Sequence, residues 1–288
     1  MKDKNIIKIE LPSIGVLGVK SIEKRTNGNV VETRKGSFTH KYIAPFFLVV
    51  EDDLAKQVIE IIASEFPSLP RKYIHSGVWV NQAACLLGFL MYAKELESTN
   101  VPQFSILSID DGDIKTEEKE KRLKKLLKGN YFGEELEVAK KTLSELMLSF
   151  KLEYFNVKKG LPEYNHKKWF EEINKEIILS IDKPSNLYEE RKVESLMGLI
   201  EFSKSIKLDD YHSYYEELKK FRPSNTFHLT EYFVLNAIKK YNKSKWDLYV
   251  GHIRDALVDV EEENRKRFVD ADMYFSQRNS NALQRTSR

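Results

Sequence analysis

The sequence is poor in cysteine and has no long apolar run. Cys85 is the only cysteine among the 288 residues, which excludes an internal disulfide framework and a cysteine-rich zinc site and favours a reducing compartment. No stretch of about 18 apolar residues occurs, and the start of the chain lacks the apolar segment of a signal peptide. We therefore expect a cytoplasmic protein without a membrane partner.

The sequence also lacks the common motifs of cofactor binding and catalysis. It contains no Walker loop, no Gly-x-Gly-x-x-Gly fingerprint and no nucleophile elbow. The histidines show no His-x-x-x-His spacing of the kind that binds zinc. We therefore expect no cofactor and no metal, and a non-catalytic protein is favoured over an enzyme. The six histidines are His40, His75, His166, His212, His228 and His252.

The net charge is small because basic and acidic regions cancel. The chain has 47 Lys and Arg against 44 Asp and Glu, a formal charge of +3. Residues 1–50 carry +5, residues 51–272 carry −5 and residues 273–288 carry +3. This distribution argues against a polybasic protein that binds nucleic acid with its whole surface, but it permits a local phosphate contact.

The N-terminal part shows the patterns of strands and helices in alternation. Apolar and charged residues alternate over residues 7–11, while residues 46–50 are all apolar, as in a buried strand. Residues 104–109 predict another strand, which ends at an Asp-rich turn. Helical spacing follows residue 54, and the apolar segment 79–96 predicts a buried helix.

The C-terminal part is predicted to be mainly α-helical. Glycine becomes rare there, and apolar residues repeat at helical spacing. The sequence thus predicts an α+β protein with an α/β module at 1–113, a helical domain at 114–272 and a flexible basic tail at 273–288. The predicted buried helix faces consist of Leu136, Ala139, Leu143, Leu146 and Phe150; Val193, Leu196, Met197 and Ile200; Leu229 and Phe233; and Trp246, Val250, Ile253, Leu257 and Val260.

A basic segment at residues 20–41 is the main candidate for binding RNA. Lys and Arg can neutralise phosphates, and His or Tyr can stack on a base. The alternative is a solvated hairpin whose charges only keep the protein soluble. The candidate residues of this segment are Lys20, Lys24, Arg25, Arg34, Lys35, Thr39, His40 and Lys41.

Two further patterns have both a chemical and a structural interpretation. Asp110, Asp111 and Asp113 follow a predicted strand and could bind a divalent cation, but Asp and Gly also form turns, and we prefer the turn. Arg222 and His228 resemble the Arg and His motif of HEPN-type ribonucleases, in which His acts as acid or base and Arg stabilises phosphate charge. Between them, Pro223 favours an interhelical turn instead.

The order of motifs in the N-terminal third resembles the DevR-like RAMP proteins, the backbone subunits that bind crRNA in type I CRISPR interference complexes. The matching residues are Asn27-Gly28-Asn29-Val30-Val31-Glu32-Thr33, then Gly36-Ser37-Phe38-Thr39-His40-Lys41, then Ala44-Pro45, and later Ser76-Gly77. The resemblance implies a ferredoxin-like module, with Thr39, His40 and Lys41 on the guide RNA backbone. It also implies that Ser76 and Gly77 lie at a helix N-terminus, where phosphate binding is favourable.

The sequence therefore supports three hypotheses. The first is a non-catalytic RNA-binding subunit of a prokaryotic CRISPR-type ribonucleoprotein complex, with RNA and other protein subunits as partners. The second is a HEPN-like, metal-independent ribonuclease that uses Arg222 and His228. The third is a helical scaffold for protein interactions, in which the basic segment is only surface.

Overall fold

The computed structural model describes the central part of the chain and two short segments near its start. The described residues are 25–26, 29–30, 46–65, 71–96, 104–129, 131–155, 161–222 and 227–262. Strands β1 (Arg25–Thr26) and β2 (Asn29–Val30) pair in an antiparallel ladder. The predicted strand at 7–11, most of the basic segment and the predicted tail lie outside the described residues.

A four-stranded parallel sheet organises the α/β part. Its strands are β3 (Phe46–Val50), β4 (Arg71–His75), β5 (Ser105–Asp110) and β6 (Met147–Ser149), in the order β4-β3-β5-β6. The two central strands are almost wholly buried, as the apolar sequences of β3 and β5 predict for a parallel sheet covered on both faces.

Helices connect the strands and cover the sheet. They are α1 (Asp53–Ala63), α2 (Trp79–Leu96), α3 (Thr116–Leu127) and α4 (Gly133–Leu146). Side chains alternate across the pleat. Val49 and Ile106 pack in one hydrophobic cluster with α2, α3 and α4, whereas Leu48 and Leu107 belong to a second cluster with α1 and the later helices. The sheet therefore lies between two helical layers.

The later helices form the larger of these two layers. They are α5 (Leu161–Glu171), α6 (Lys175–Ile181), α7 (Leu187–Ser205), α8 (Tyr214–Lys219), α9 (Phe227–Tyr241) and α10, which comprises residues 243–262. A 3-10 turn, Tyr211–Ser213, precedes α8. Trp169, Trp246 and Tyr249 fill the centre of this layer, and α9 packs on α1, where Lys239 forms an ion pair with Glu65 at 3.0 Å.

The structure confirms the α+β class but does not confirm a ferredoxin-like module. A ferredoxin-like unit has the order βαββαβ, with two consecutive strands, whereas at least one helix separates each successive pair of strands from β3 to β6. The sheet also extends beyond the predicted boundary at residue 113, because β6 pairs with β5.

The predicted buried faces are confirmed in α7 and α10 but not in α9. The prediction that Phe150 lies on a helix with Leu143 and Leu146 is wrong, because α4 ends at Leu146 and Phe150 follows β6. Leu229 and Phe233 are 57% and 38% exposed, so their prediction as a buried face is wrong. The buried face of α9 contains Val234, Leu235 and Ile238 instead. Within the described part of the chain, no helix has the length and apolar character needed to cross a bilayer.

Candidate functional site

The carboxyl ends of the two central strands bring acidic residues together. After β3 the chain continues with Glu51 and Asp52, and after β5 it continues with Asp111, Gly112 and Asp113. The chain passes from β3 to β4 on one side and then crosses to β5 on the other. The gap between β3 and β5 is therefore the topological switch point, where open parallel sheets bind ligands.

The last residue of β5, Asp110, has a structural role. Its buried carboxylate accepts hydrogen bonds from Lys119 Nζ at 2.7 Å, from Ser149 Oγ at 2.8 Å and from the backbone N–H of Gly112 at 2.9 Å. In addition, the backbone N–H of Phe150 donates to the Asp110 carbonyl oxygen at 3.1 Å. Asp110 is thus fully engaged and ties β5, α3 and β6 together.

Gly112 makes the turn that follows β5 possible. Its φ is +78°, a conformation that favours glycine, and a Cβ atom there would lie 2.1 Å from the Phe150 carbonyl oxygen. The sequence prediction of a turn at this position is therefore confirmed. The turn also carries Asp111 and Asp113 beside the end of β3.

Glu51 and Asp111 lie against each other across the switch point. The backbone N–H of Asp111 donates a hydrogen bond to the Glu51 carboxylate. Even so, Glu51 Oε2 and Asp111 Oδ1 are both buried without a hydrogen-bond partner. Burial and then the charge of Asp113 raise the pKa of Glu51 to about 7, while burial and the charges of Asp52 and Glu51 raise the pKa of Asp111 well above its usual range.

Asp52 and Asp113 add two more carboxylates at the same edge. Asp52 caps α1, since its Oδ1 accepts from the backbone N–H of Ala55 at 2.8 Å. Burial, followed by the charge of Asp53, raises the pKa of Asp52. Asp113 lies more exposed, and burial and the charge of Asp110 raise its pKa.

The helical layer supplies a fifth carboxylate. Glu163, near the start of α5, is only 8% exposed, and its Oε2 has no hydrogen-bond partner. Burial is the main reason that its pKa rises to about 7, with the charge of Asp52 as a further cause. His212 lies nearby: burial lowers its pKa, but a hydrogen bond with Asp210 and the charge of Glu163 outweigh burial and raise it.

We call these five carboxylates the acidic cluster: Glu51, Asp52, Asp111, Asp113 and Glu163. Among the described residues, no Lys or Arg forms an ion pair with any of the five. Nor do the described His, Cys, Asp and Glu side chains include a group of three already arranged to hold a metal ion. The cluster is thus a set of close, mutually repelling carboxylates with incomplete hydrogen bonding.

An open cleft of about 890 Å³ lies beside the turn of Gly112. Its lining includes Gly112 itself, Lys119 and Ser149, which hold the turn, together with Lys115 and Lys151. A molecule in this cleft therefore contacts the loop that carries two members of the acidic cluster and meets lysine side chains as well.

Sequence reasoning missed Glu51, Asp52 and Glu163. A usable signal existed for the first two, because Glu51-Asp52-Asp53 follows one buried strand just as Asp111-Gly112-Asp113 follows another. Strands whose ends are both acidic place these ends together if the strands are parallel neighbours. Nothing in the sequence near Glu163 marks it, since its position depends on how α5 packs.

The RNA-binding residues predicted from the sequence lie mostly outside the described part of the chain. Of the candidates in the basic segment, only the backbone of Arg25 is described, in β1. Ser76 and Gly77 do precede α2, as predicted. Their backbone N–H groups donate to the carbonyl oxygens of Val50 and Glu51, each at 2.9 Å, so these amides are engaged within the protein.

Arg222 and His228 lie in different surroundings. His228 is on α9, where its Nδ1 is 2.9 Å from Gln57 Nε2 and 3.5 Å from the carboxylate of Glu231. Arg222 follows α8 and lines a groove beside α6, α7 and α9. The HEPN-like hypothesis stays a prediction.

Comparison with known proteins does not identify a relative: no family model, no curated protein and no solved structure matches the chain.

Proposed function

We propose that the protein is a divalent-cation-dependent phosphoester hydrolase whose cation binds at the acidic cluster. The observation that carries this proposal is the pair Glu51 and Asp111 at the switch point: each has a buried carboxylate oxygen without a hydrogen-bond partner, and the charge of Glu51 acts on Asp111. Such an arrangement costs free energy when no cation is present. Strongly perturbed carboxylates at the switch point of a parallel sheet are a physical indication of a functional site.

The ligand chemistry favours Mg²⁺ or Mn²⁺. The acidic cluster offers only carboxylate oxygens, which suit hard cations and not soft metals. Mg²⁺ usually keeps several waters and binds through one or two carboxylates together with the phosphates of a substrate. A site for Mg²⁺ therefore does not require a complete cage of three protein ligands, which agrees with the arrangement of the described residues.

The neighbouring cleft supports a phosphoester as the substrate. A bound cation supplies Lewis-acid polarisation of a phosphoryl oxygen and lowers the pKa of a coordinated water. In this proposal Glu51 and Asp111 hold the cation, and the more exposed Asp113 accepts a proton from the attacking water. Lys115 and Lys151 in the cleft offset the charge of the substrate. His212, whose pKa is raised, serves as a proton donor near Asp113.

The first test combines cation binding with hydrolysis. The full chain, freed of metal with EDTA, is titrated with Mg²⁺ and Mn²⁺ by calorimetry and assayed on bis(p-nitrophenyl) phosphate. Glu51→Gln and Asp111→Asn are expected to weaken cation binding at least about tenfold and to lower hydrolysis about 100-fold, because each removes a charged oxygen ligand.

The matched control is Glu194→Gln, an exposed glutamate on α7 outside the cluster. It should leave both measurements unchanged. Hydrolysis that is equally fast in EDTA, or that survives in both cluster variants, contradicts the proposal. Cation binding without hydrolysis of this ester or of labelled nucleic acid also contradicts it and favours a structural cation site.

The RNA-binding function predicted from the sequence stays a second proposal. The basic segment lies mostly outside the described residues, so its support comes from the sequence alone. RNA binding is compatible with the hydrolase proposal, since RNA is itself a phosphodiester, but the non-catalytic character predicted from the sequence is not. The proposal of a non-catalytic subunit and that of a hydrolase differ in one measurable respect, which is the loss of substrate over time in the presence of Mg²⁺ or Mn²⁺.

A further inference from the structure

A groove in the helical layer combines positive charge with exposed aromatic rings. It has a volume of about 1050 Å³ and lies between α6, α7 and α9. Its lining includes Lys183, Arg191, Lys192 and Arg222, together with Tyr188 and Phe233. We call it the basic groove. No member of the acidic cluster lines it.

The cations of the basic groove are available to a ligand, whereas its acids are engaged. Within the described part of the chain, the four cations named above form no ion pair with a carboxylate. The carboxylate of Asp182 is held by Lys240 and by the Tyr241 hydroxyl. That of Glu189 accepts from the backbone N–H of Ser185 at 2.7 Å and from its hydroxyl at 2.9 Å. The surplus charge of the groove is therefore positive.

Aromatic side chains lie exposed beside these cations. Tyr188 is 68% exposed and Phe233 is 38% exposed, although large aromatic rings usually bury most of their surface. Lys192 Nζ lies 4.3 Å from the centre of the Tyr188 ring, in a cation-π contact. Cations alternating with accessible rings are the usual components of a surface that binds single-stranded nucleic acid.

The lining residues of α7 lie on one face of that helix, and those of α9 lie on one face of theirs, so each helix contributes a continuous strip. On α7, Tyr188, Arg191, Lys192 and Ser195 follow the i, i+3, i+4, i+7 spacing of one helix face. The same spacing occurs on α9, in Phe233, Asn236, Ala237 and Lys240. Each strip extends about 10 Å along its helix axis.

We propose that the basic groove binds a short stretch of single-stranded nucleic acid. Arg191, Lys192 and Arg222 contact successive phosphates, and bases stack on Tyr188 and Phe233. An acidic peptide would satisfy the cations but would leave the exposed rings without flat partners, whereas every base has a face that stacks. The proposal does not depend on the acidic cluster, because binding can be measured without cations or cleavage.

The test is the anisotropy of fluorescein-labelled 15-nucleotide oligo(dT) and oligo(U) with the full chain in EDTA, between about 50 and 200 mM salt. The double variant Arg191→Ala/Lys192→Ala is expected to weaken binding at least tenfold at low salt. It should also reduce the slope of log K against log salt by about 1.4, since each phosphate contact on a single strand contributes about 0.7. Tyr188→Ala should weaken binding at least about fivefold with an unchanged slope, and Tyr188→Phe should restore it.

The matched control is Lys124→Ala/Lys125→Ala, which removes the same charge from an exposed face of α3. Equal binding by the groove variant and this control overturns the proposal. A loss of binding in Arg34→Ala/Lys35→Ala/His40→Ala/Lys41→Ala with none in the groove variants also overturns it and favours the N-terminal basic segment. Tighter binding of poly-glutamate than of either oligonucleotide overturns it in favour of an acidic protein partner.

Discussion

Gly112 determines where two of the cluster carboxylates lie. Its positive φ bends the chain directly after β5. Because Gly112 has no Cβ, the Phe150 carbonyl oxygen can lie close to its backbone. The Gly112 N–H also donates to the Asp110 carboxylate, and this hydrogen bond stabilises the turn. A residue with a side chain would have to move either this turn or the end of β6.

We expect Gly112→Ala to destabilise the protein by about 1–3 kcal/mol, because alanine at positive φ is strained and its Cβ would meet a backbone atom. Urea unfolding measures the loss. The same shift displaces Asp111 and Asp113, so Mg²⁺ affinity should fall as well. Gly129→Ala is the control, since nothing lies within 4 Å of a Cβ at that position. Equal free energies of unfolding for the two variants would contradict this prediction and would show that the turn can accept a Cβ at residue 112.

The Asp-rich turn shows what sequence reasoning can and cannot predict at this scale. Asp and Gly after an apolar strand correctly predict the turn. The chemistry of the turn depends on Glu51 and Glu163, which are distant along the chain and meet it only in the folded sheet and helical layer. Because the strand order decides which ends meet, the residues of the turn do not reveal their partners.

At the scale of elements, α7 and α9 carry the basic groove and illustrate a limit of helical periodicity. Leu229 and Phe233 share a face, but α9 packs through the neighbouring face of Val234 and Ile238. Where a helix has two apolar stripes, spacing alone does not select the buried one. The buried strands β3 and β5 were predictable because their residues up to Val50 and Ile109 are apolar or serine, whereas three-residue β6 lies within a segment with a helical pattern.

The start of α7 positions Tyr188 and Arg191, and Asn186 caps it. Asn186 Oδ1 accepts from the backbone N–H of Glu189 at 3.0 Å. We expect Asn186→Ala to lower the free energy of unfolding by about 1 kcal/mol, because the cap bond is lost. Asn186→Ser keeps an acceptor and should lose less than half as much. Urea unfolding of both variants checks this order, and equal losses would contradict the capping role.

For the whole molecule, the acidic cluster predicts an unusual dependence of stability on pH. In the folded protein the pKa values of Glu51 and Glu163 rise from 4.5 to about 7. Between these pH values the folded state therefore binds more protons than the unfolded state, so the free energy of unfolding falls as pH rises. The stabilising contribution is complete below about pH 4.5 and is lost as pH rises through about 7.

We expect thermal unfolding in EDTA to show a melting temperature that decreases between about pH 5 and 8. Mg²⁺ should reduce this decrease, since a cation favours the ionised carboxylates. The double variant Glu51→Gln/Glu163→Gln removes two of the titrating groups and should make the profile less steep in EDTA, while Asp111 and Glu231, whose pKa values are also raised, remain. Glu194→Gln again serves as the control and should follow the wild type. A variant profile as steep as that of the wild type would assign the pH dependence to other groups.

The wide separation of Glu51, Asp111 and Glu163 along the chain has a consequence for biosynthesis. A ribosome releases these residues one after another, and Glu163 leaves it only after the last strand of the sheet, β6. The nascent chain therefore has no complete acidic cluster until α5 has emerged and packed, whereas Glu51 and Asp111 emerge earlier. We therefore expect protein that has folded without metal to bind the cation of the proposed function afterwards.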